Sequence, residues 1–351
     1  MRPAYRGGWK SSRLALVGPG LAAAIGALAV FFAGPPSVEA VTCGARYVSP
    51  SGDDGSIPTP NDCTTPGSPC KTVQHAIDAA CAGDTVNVRP GTYSETAAVP
   101  SPPACAGDTV GLYIADSKAG LTIQGVTAGD VPITSAAAVL ATINTNSSLC
   151  FGPDGIFVQG DGVTIAGVRI GTNASGQNKT IEIWGDDFTL KNSDVDDPQG
   201  SVYLNDANFD TGTNTSHLQS YRFDGNVFED GVSLDITSGA GFSGPVAGRV
   251  ITGNTFLNLA VTPGSQPWPS VSFNGSNTGV PWFVYSVGGA TITGNTFSNT
   301  APDGLMIRAR GTYDNTQFDW ATYFTGNTFN RSVVVGPTPP ANLTTHSLPN
   351  A

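Results

Sequence analysis

Charged side chains beside short alternating strands are the residues of this sequence best suited to chemistry. Asp235 and Arg308 form the candidate catalytic pair, because elimination on a uronic acid needs a base at C5 and a cation on the carboxylate. Glu182 and Arg310 are further charged residues at related positions. These residue types indicate polysaccharide β-elimination as one possible reaction.

Glycoside hydrolysis is the second possible reaction, and it needs two carboxyl groups about 5 to 9.5 Å apart. Aligning the strands by their apolar residues separates Glu182 and Asp235 by about 11 to 12 Å. That distance is too long unless a loop carboxylate such as Asp206, Asp210 or Asp303 takes part. Ester hydrolysis is disfavoured because the Gly-x-Ser-x-Gly elbow is absent. The choice between lyase, hydrolase and no catalysis stays open.

Outward positions of successive strands supply the rest of the candidate face. The alignment predicts one column of Gln159, Trp184, Asn205, Asp235, Asn274 and Arg308, and a second of Phe157, Glu182, Tyr203, Ser233, Ser272 and Met306. Asp235 and Arg308 then lie two rungs apart, about 9.5 Å. The predicted substrate-binding residues are Glu182, Trp184, Tyr203, Asn205, Asn274 and Arg310. An ordinary solvated sheet face is the alternative.

A repeated corner would position these strands. Four segments share the pattern apolar-x-Gly-Asn-x-Phe: Phe223–Phe228, Ile251–Phe256, Ile292–Phe297 and Phe324–Phe329. Weaker copies occur at Ile123–Ala128, Ile165–Ile170 and Leu190–Val195. Unequal spacing with a constant motif predicts a solenoid with loop insertions. The widest interval, from Val126 to Val168, suggests one additional coil without a recognisable motif.

Each coil reads as strand, loop, strand, Gly-Asn turn and Phe. Stacking such coils would place Phe228, Phe256, Phe297 and Phe329 in one buried file. The asparagines of the turn, Asn226, Asn254, Asn295 and Asn327, would hydrogen-bond along the solenoid axis as a structural ladder.

The N-terminal end of the solenoid is predicted to be capped and covalently braced. Val73, Ala76, Ile77 and Ala80 have helical spacing after Thr72, and Gly83 is a plausible helix stop. Such a helix would cover exposed strand edges.

Six cysteines all precede residue 151, and their even number predicts disulfides rather than a zinc site. Their pairing is open, although Cys63 with Cys70 would close a proline-rich loop.

The segment from Arg46 to Glu95 resembles the opening of exported right-handed parallel β-helix proteins of the pectin-lyase-like superfamily. The resemblance extends with the repeats over about residues 45 to 335. It implies an all-β, right-handed parallel β-helix with a short N-terminal capping helix. The superfamily includes lyases, glycoside hydrolases, esterases, tailspikes and adhesins, so it implies no single activity. Several of its lyases combine Arg or Lys with calcium, and Arg308 or Arg310 with Asp235 and Glu182 would be the analogous residues here.

The ends of the chain predict export. Residues 1–40 have the basic, apolar and small-residue segments of a signal peptide, with an uncleaved anchor as the alternative. Residues 41–335 are predicted to form the β-helix domain, and 336–351 a flexible tail. Without the four basic residues and one acidic residue of the leader, the net charge falls to −14. This charge disfavours nucleic acid as a partner and favours calcium as a ligand.

The combined expectation is a secreted or cell-surface monomer that contacts no membrane once its leader is cleaved. Its predicted partner is a polysaccharide bound along one solenoid face, and whether it is cleaved there stays open. A non-catalytic envelope or adhesion protein, with the β-helix as a stiff spacer, is the alternative.

Overall fold

The computed structural model describes residues 43–56, 59–99, 109–145, 154–172, 179–197, 201–205, 220–229, 232–238, 248–258, 271–275, 291–299, 307–310 and 326–329. These residues form a right-handed parallel β-helix, as the sequence predicts. The predicted leader, 1–40, and the predicted tail, 336–351, lie outside the described residues.

Three parallel sheets form the walls of the solenoid. Sheet I contains β1 (Arg46–Val48), β4 (Thr85–Val88), β9 (Thr122–Gly125), β12 (Thr164–Ala166), β15 (Phe188–Lys191), β18 (Tyr221–Asp224), β21 (Arg249–Thr252) and β24 (Thr291–Thr293). Sheet II contains β5 (Gly91–Glu95), β10 (Ala141–Thr145), β13 (Arg169–Thr172), β16 (Asp194–Asp196), β19 (Val227–Glu229), β22 (Thr255–Asn258), β25 (Thr296–Asn299) and β27 (Thr328–Phe329). Sheet III contains β8 (Leu112–Ile114), β11 (Asp154–Val158), β14 (Lys179–Ile183), β17 (Ser201–Asn205), β20 (Ser233–Ser238), β23 (Val271–Gly275) and β26 (Ile307–Arg310).

The described coils pass from sheet III to sheet I, turn a corner into sheet II, and return to sheet III. From Gly225 onward this corner is Gly-Asn. Two antiparallel pairs decorate the N-terminal part: β2 (Gly55–Ser56) with β3 (Thr59–Pro60), and β6 (Ala97–Ala98) with β7 (Thr109–Val110). Helix α1 spans Val73–Ala79, and short 3₁₀ turns span Asp116–Lys118 and Ala136–Ala138.

Apolar residues at alternate strand positions fill the interior. In sheet I, one buried file consists of Val86, Ile123, Ile165, Leu190, Phe223, Ile251 and Ile292. Removing one such side chain from water contributes about 1.5 to 3 kcal/mol. The two-residue period of the strands thus accounts for the core directly.

The predicted asparagine ladder is present at the corner between sheets I and II. Asn254 donates its amide hydrogens to the Phe223 carbonyl and to Asn295 Oδ1, both at 2.9 Å. Its own Oδ1 accepts from the backbone N–H and the side-chain amide of Asn226, again at 2.9 Å. The same pattern continues from Asn295 to Asn327. A buried side chain thereby satisfies backbone groups that the turn leaves unpaired.

The strand register of the predicted phenylalanine file is confirmed. Phe228 pairs with Phe256, Phe256 with Phe297, and Phe297 with Phe329. The rings of the buried Phe228 and Phe256 stack with centroids 4.8 Å apart and planes 7° from parallel. Gly225, Gly253, Gly294 and Gly326 have φ between 64° and 66° at these corners, a left-handed conformation that favours glycine.

Helix α1 covers the first coil with buried Val73, Ala76 and Ile77. The Thr72 hydroxyl accepts from the His75 N–H at 3.3 Å, which confirms Thr72 as the N-cap. The prediction that Gly83 stops the helix is wrong. The helix ends at Ala79 because Ala80 is already extended, and Gly83 instead donates its N–H to the Ala119 carbonyl.

The additional coil predicted between Val126 and Val168 does not exist. Ile123 of β9 pairs directly with Ile165 of β12, so this stretch is a single coil. Its length comes from insertions outside the three sheets, including the 3₁₀ turn Ala136–Ala138.

Disulfides join Cys43 to Cys81 and Cys63 to Cys70. Cys105 and Cys150 lie outside the described residues. In the described part of the chain, no helix has both the length and the hydropathy needed to cross a bilayer.

Candidate functional site

The predicted site residues belong to sheet III, where strand register arranges their positions in two files. Strand pairing places the first file along Tyr113, Phe157, Glu182, Tyr203, Asp235, Ser272 and Arg308. Two residues further along each strand, the second file contains Asn205, Thr237, Asn274 and Arg310. Gln159 and Trp184 occupy the corresponding places directly after β11 and β14.

The predicted alignment of this face is wrong by two residues in two strands. Asp235 belongs with Tyr203 and Ser272 in the first file, and Thr237 takes its predicted place beside Asn205. Arg308 likewise pairs with Ser272, while Arg310 pairs with Asn274. The alternating apolar run continues past Val232 through Leu234 and Ile236, so a slip of two residues leaves the same residues inward.

The observed register leaves the separation of Asp235 from Arg308 unchanged but shortens that of Glu182 from Asp235. Asp235 and Arg308 remain two rungs apart, because Ser272 lies between them. Glu182 and Asp235 now share a file with only Tyr203 between them. Their backbones are therefore about 9.6 Å apart instead of 11 to 12 Å.

Glu182 is nevertheless committed to local contacts. Its carboxylate accepts from the Trp184 indole N–H through Oε1 at 2.8 Å and lies 2.7 Å from Lys179 Nζ through Oε2. Its side chain is 6% exposed. A carboxylate with both oxygens engaged and little contact with solvent is suited to holding its neighbours rather than to transferring protons.

Three aromatic residues form a platform at the N-terminal end of this face. Tyr113 and Phe157 stack with centroids 5.9 Å apart, and Phe157 meets Trp184 edge to face at 5.1 Å. Trp184 is 39% exposed. We call Tyr113, Phe157 and Trp184 the aromatic platform.

Polar contacts fix two residues of the aromatic platform, with Trp184 bonded to Glu182 and Tyr113 bonded to Gln159. The Tyr113 hydroxyl donates to Gln159 Oε1 at 2.6 Å. Burial, followed by the nearby Asp116 charge, raises the pKa of Tyr113, so the phenol stays protonated as a donor. Lys179 lies 4.8 Å from the centre of the Tyr203 ring, which places that ring beside the Lys179–Glu182 pair.

Residue type alone pointed to Glu182, Trp184 and Tyr203, and the structure places all three together. It adds Tyr113 and Lys179, which the sequence alignment did not select, and places the predicted Gln159 beside Tyr113. The signal for Tyr113 was its place in Leu112–Ile114, a short alternating strand before the first strong repeat. Asp235, Asn205, Asn274, Arg308 and Arg310 are located by strand register alone.

The described residues contain two close groups of side chains of the types that can bind a metal ion. Cys63, Cys70 and His75 form one close group, and Cys43, Cys81 and Asp84 form another. Both contain a disulfide, so neither offers thiolate ligands. Within the described coils, no three carboxylates approach closely enough to form a calcium cage.

Residues 59–266 match the model of a family described as a protein of unknown function, DUF1565. The chain belongs to this family. Its members are parallel β-helix proteins, in agreement with the sheets described above. No curated protein matches the chain.

Solved structures with a similar fold include an alginate lyase from Paenibacillus sp. str. FPU-7, which is 13% identical with a TM-score of 0.34, over 75% of this chain and 94% of that chain. The pectin methylesterase from carrot is 10% identical with a TM-score of 0.31, over 81% and 82%. A rhamnogalacturonan lyase is 13% identical with a TM-score of 0.33, over 84% and 65%. At such identities the likeness concerns the fold and not the activity.

Proposed function

We propose that this protein is exported and binds polysaccharide along the outer face of sheet III. The distribution of outward-facing aromatic residues carries the proposal. Among the described strands and the residues that directly follow them, sheet III presents Tyr113, Phe157, Trp184 and Tyr203. Sheet I presents Tyr47, and the described part of sheet II presents none. Aromatic faces next to polar groups suit the apolar faces of sugar rings.

The length of the face fits a polymer better than a small molecule. From Glu182 to Arg308 the first file rises through four rungs, about 19 Å. An extended glycan lying along the solenoid axis could contact the aromatic platform at one end and the positions of Arg308 and Arg310 at the other. Asp235 lies between them in the file.

Cleavage is the more specific part of the proposal. Asp235 and Arg308 are the proposed base and carboxylate-binding cation of a lyase, with calcium as a proposed additional cation. A glycoside hydrolase that uses Glu182 as its second carboxylate is disfavoured, since Trp184 and Lys179 engage both oxygens of Glu182.

Export is supported by the disulfides Cys43–Cys81 and Cys63–Cys70, because such bonds persist in oxidising compartments. The proposed cellular site is secreted or on the cell surface. A non-catalytic envelope protein is the second candidate, and the structural use of Glu182 favours it.

The test is product release from a panel of acidic and neutral polysaccharides, with calcium and with a chelator. If the protein is a lyase, unsaturated products accumulate and both Asp235→Asn and Arg308→Ala abolish their release. Retention on a glycan without product supports the non-catalytic binding protein. If the protein releases no product from any glycan and is retained on none, the proposed function as a whole is contradicted.

A further inference from the structure

Glu182, the carboxylate that contacts Trp184 of the aromatic platform, is itself engaged in an ion pair. Lys179 and Glu182 form an ion pair with side chains that are 28% and 6% exposed. The pair is therefore held against the sheet rather than presented to solvent. Asp116, whose charge reaches Tyr113, adds negative potential at the edge of the platform.

We propose that the aromatic platform is a subsite for an uncharged sugar ring, and that the Lys179–Glu182 pair enforces this specificity. The inference rests on the proposed function and defines the ligand class of one part of the same face. A neutral pyranose can place its C–H face on the exposed indole of Trp184 at little desolvation cost. A uronate at that place would lose hydration near Asp116 without gaining an uncompensated cation.

Glu182 acts here as a positioning residue. By accepting the indole N–H of Trp184, it fixes the ring plane that the sugar contacts. By pairing with Lys179, it removes the positive charge that would attract an acidic sugar. One carboxylate thus determines both the orientation and the charge of the platform.

The first measurement compares the affinities of neutral and uronic acid hexasaccharides for the full chain. Titration calorimetry with gluco-, manno- and xylo-hexaose and with galacturonate and mannuronate hexamers covers both classes. Trp184→Ala should weaken the best neutral ligand about tenfold, equivalent to one lost stacking contact. Tyr47→Ala is the matched control, because it truncates an outward aromatic residue on sheet I and should change affinity less than about twofold.

The second measurement reverses the charge preference. Glu182→Gln keeps an acceptor for the Trp184 indole but removes the negative charge that lies 2.7 Å from Lys179 Nζ, so the uronate-to-neutral affinity ratio should rise about tenfold. Lys179→Met should lower that ratio. Thermal melts check that each variant is folded, and Trp184→Phe replaces Trp184→Ala if the latter unfolds.

The outcomes separate this inference from the proposed function. If the wild type binds a glycan but Trp184 variants bind it equally well, or Glu182→Gln leaves the affinity ratio unchanged, the neutral subsite is wrong and polysaccharide binding stands. If the wild type binds none of the hexasaccharides and no polymer, both proposals fail.

Discussion

The N-terminal coils and the later coils are held together by different devices. Up to β10, the described stabilising contacts differ from one another. They are two disulfides, the buried Arg46–Asp84 pair, the bidentate Arg89–Asp130 pair and the Glu95 carboxylate at the start of α1. From β16 onward, one asparagine contact repeats from coil to coil. The first region thus uses many unlike interactions, whereas in the second the same asparagine contact recurs at successive corners.

The difference follows from what each region packs against. An interior coil has a copy of itself above and below, so one side chain that works in one rung works in the next. Among the described residues no rung precedes the first coil, so its strand edges need a different cover. Helix α1 covers these edges. Its position depends on the different stabilising contacts described for the N-terminal coils.

The largest expected effect comes from opening the longer disulfide. Replacing Cys43 and Cys81 by serine should lower the free energy of unfolding by about 4 kcal/mol, because the bond spans 38 residues. Hydrogen exchange should accelerate in α1 and remain slow at the asparagine corners. The Cys63/Cys70 double variant, whose bond spans 7 residues, is the control and should lose about 2 kcal/mol. Equal acceleration at both ends of the solenoid would show that the two regions are not independently braced.

Removing one ladder amide tests the repetitive region. Asn254→Ala deletes four hydrogen bonds and leaves the Phe223 carbonyl and the Asn226 N–H without those partners. The expected loss is about 3 kcal/mol. Asn87→Ala, on the outer face of β4, should cost less than about 0.5 kcal/mol. Chemical denaturation measures both, and similar losses would mean that the ladder adds nothing to ordinary asparagine contacts.

A carboxyl group in the later coils should make stability depend on pH. Asp194 is 9% exposed, and burial together with the Glu229 and Asp196 charges raises its pKa to about 6, against the opposing effect of Arg169. The folded-state pKa exceeds the unfolded value of 3.8, so the folded state binds more protons between these pH values. Stability is therefore lost as the pH rises from about 4 to about 6.

Asp194→Asn removes that titration while keeping the shape of the side chain. At pH 7.5 the variant should be more stable than the wild type by about 2 kcal/mol, and the gain should vanish near pH 4. Denaturation curves across this pH range measure the difference. A gain that does not depend on pH would contradict the raised pKa.

The smallest expected effect concerns the helix cap. Glu95 accepts from the N–H groups of Val73 and Gln74 at 2.9 and 3.2 Å, although burial raises its pKa. Glu95→Ala should cost about 1 to 2 kcal/mol and loosen α1 alone. Local hydrogen exchange would locate the change. Unaltered protection in Val73–Ala79 would show that Thr72 and Asp54 suffice as caps.

The local features of the fold were predictable from the sequence. The Gly-Asn corners, the phenylalanine file and the Thr72 cap each rest on a pattern of a few residues. The pairing of Cys63 with Cys70 was left open, although the short chain between them suggested it. The pairing of Cys43 with Cys81 was not predictable, since it depends on where α1 docks.

The candidate face was predictable in composition but not in register. Inward and outward positions of β20 are unchanged by a shift of two residues, so hydrophobic alternation could not locate Asp235 in its file. The contact between Lys179 and Glu182 was also hidden. Lys179 begins β14, and its approach to Glu182 depends on how the chain enters that strand.

The direct pairing of β9 with β12 across a long insertion has a consequence for variation in this molecule. Every turn of the chain advances the stack by one strand spacing, about 4.8 Å, whether its excursions are short or long. Insertions and deletions can therefore change the segments outside the three sheets without changing the length of the stacked coils. The length of the sheet III face changes when whole coils are gained or lost. Its ligand selectivity can change separately, when the segments between the strands change.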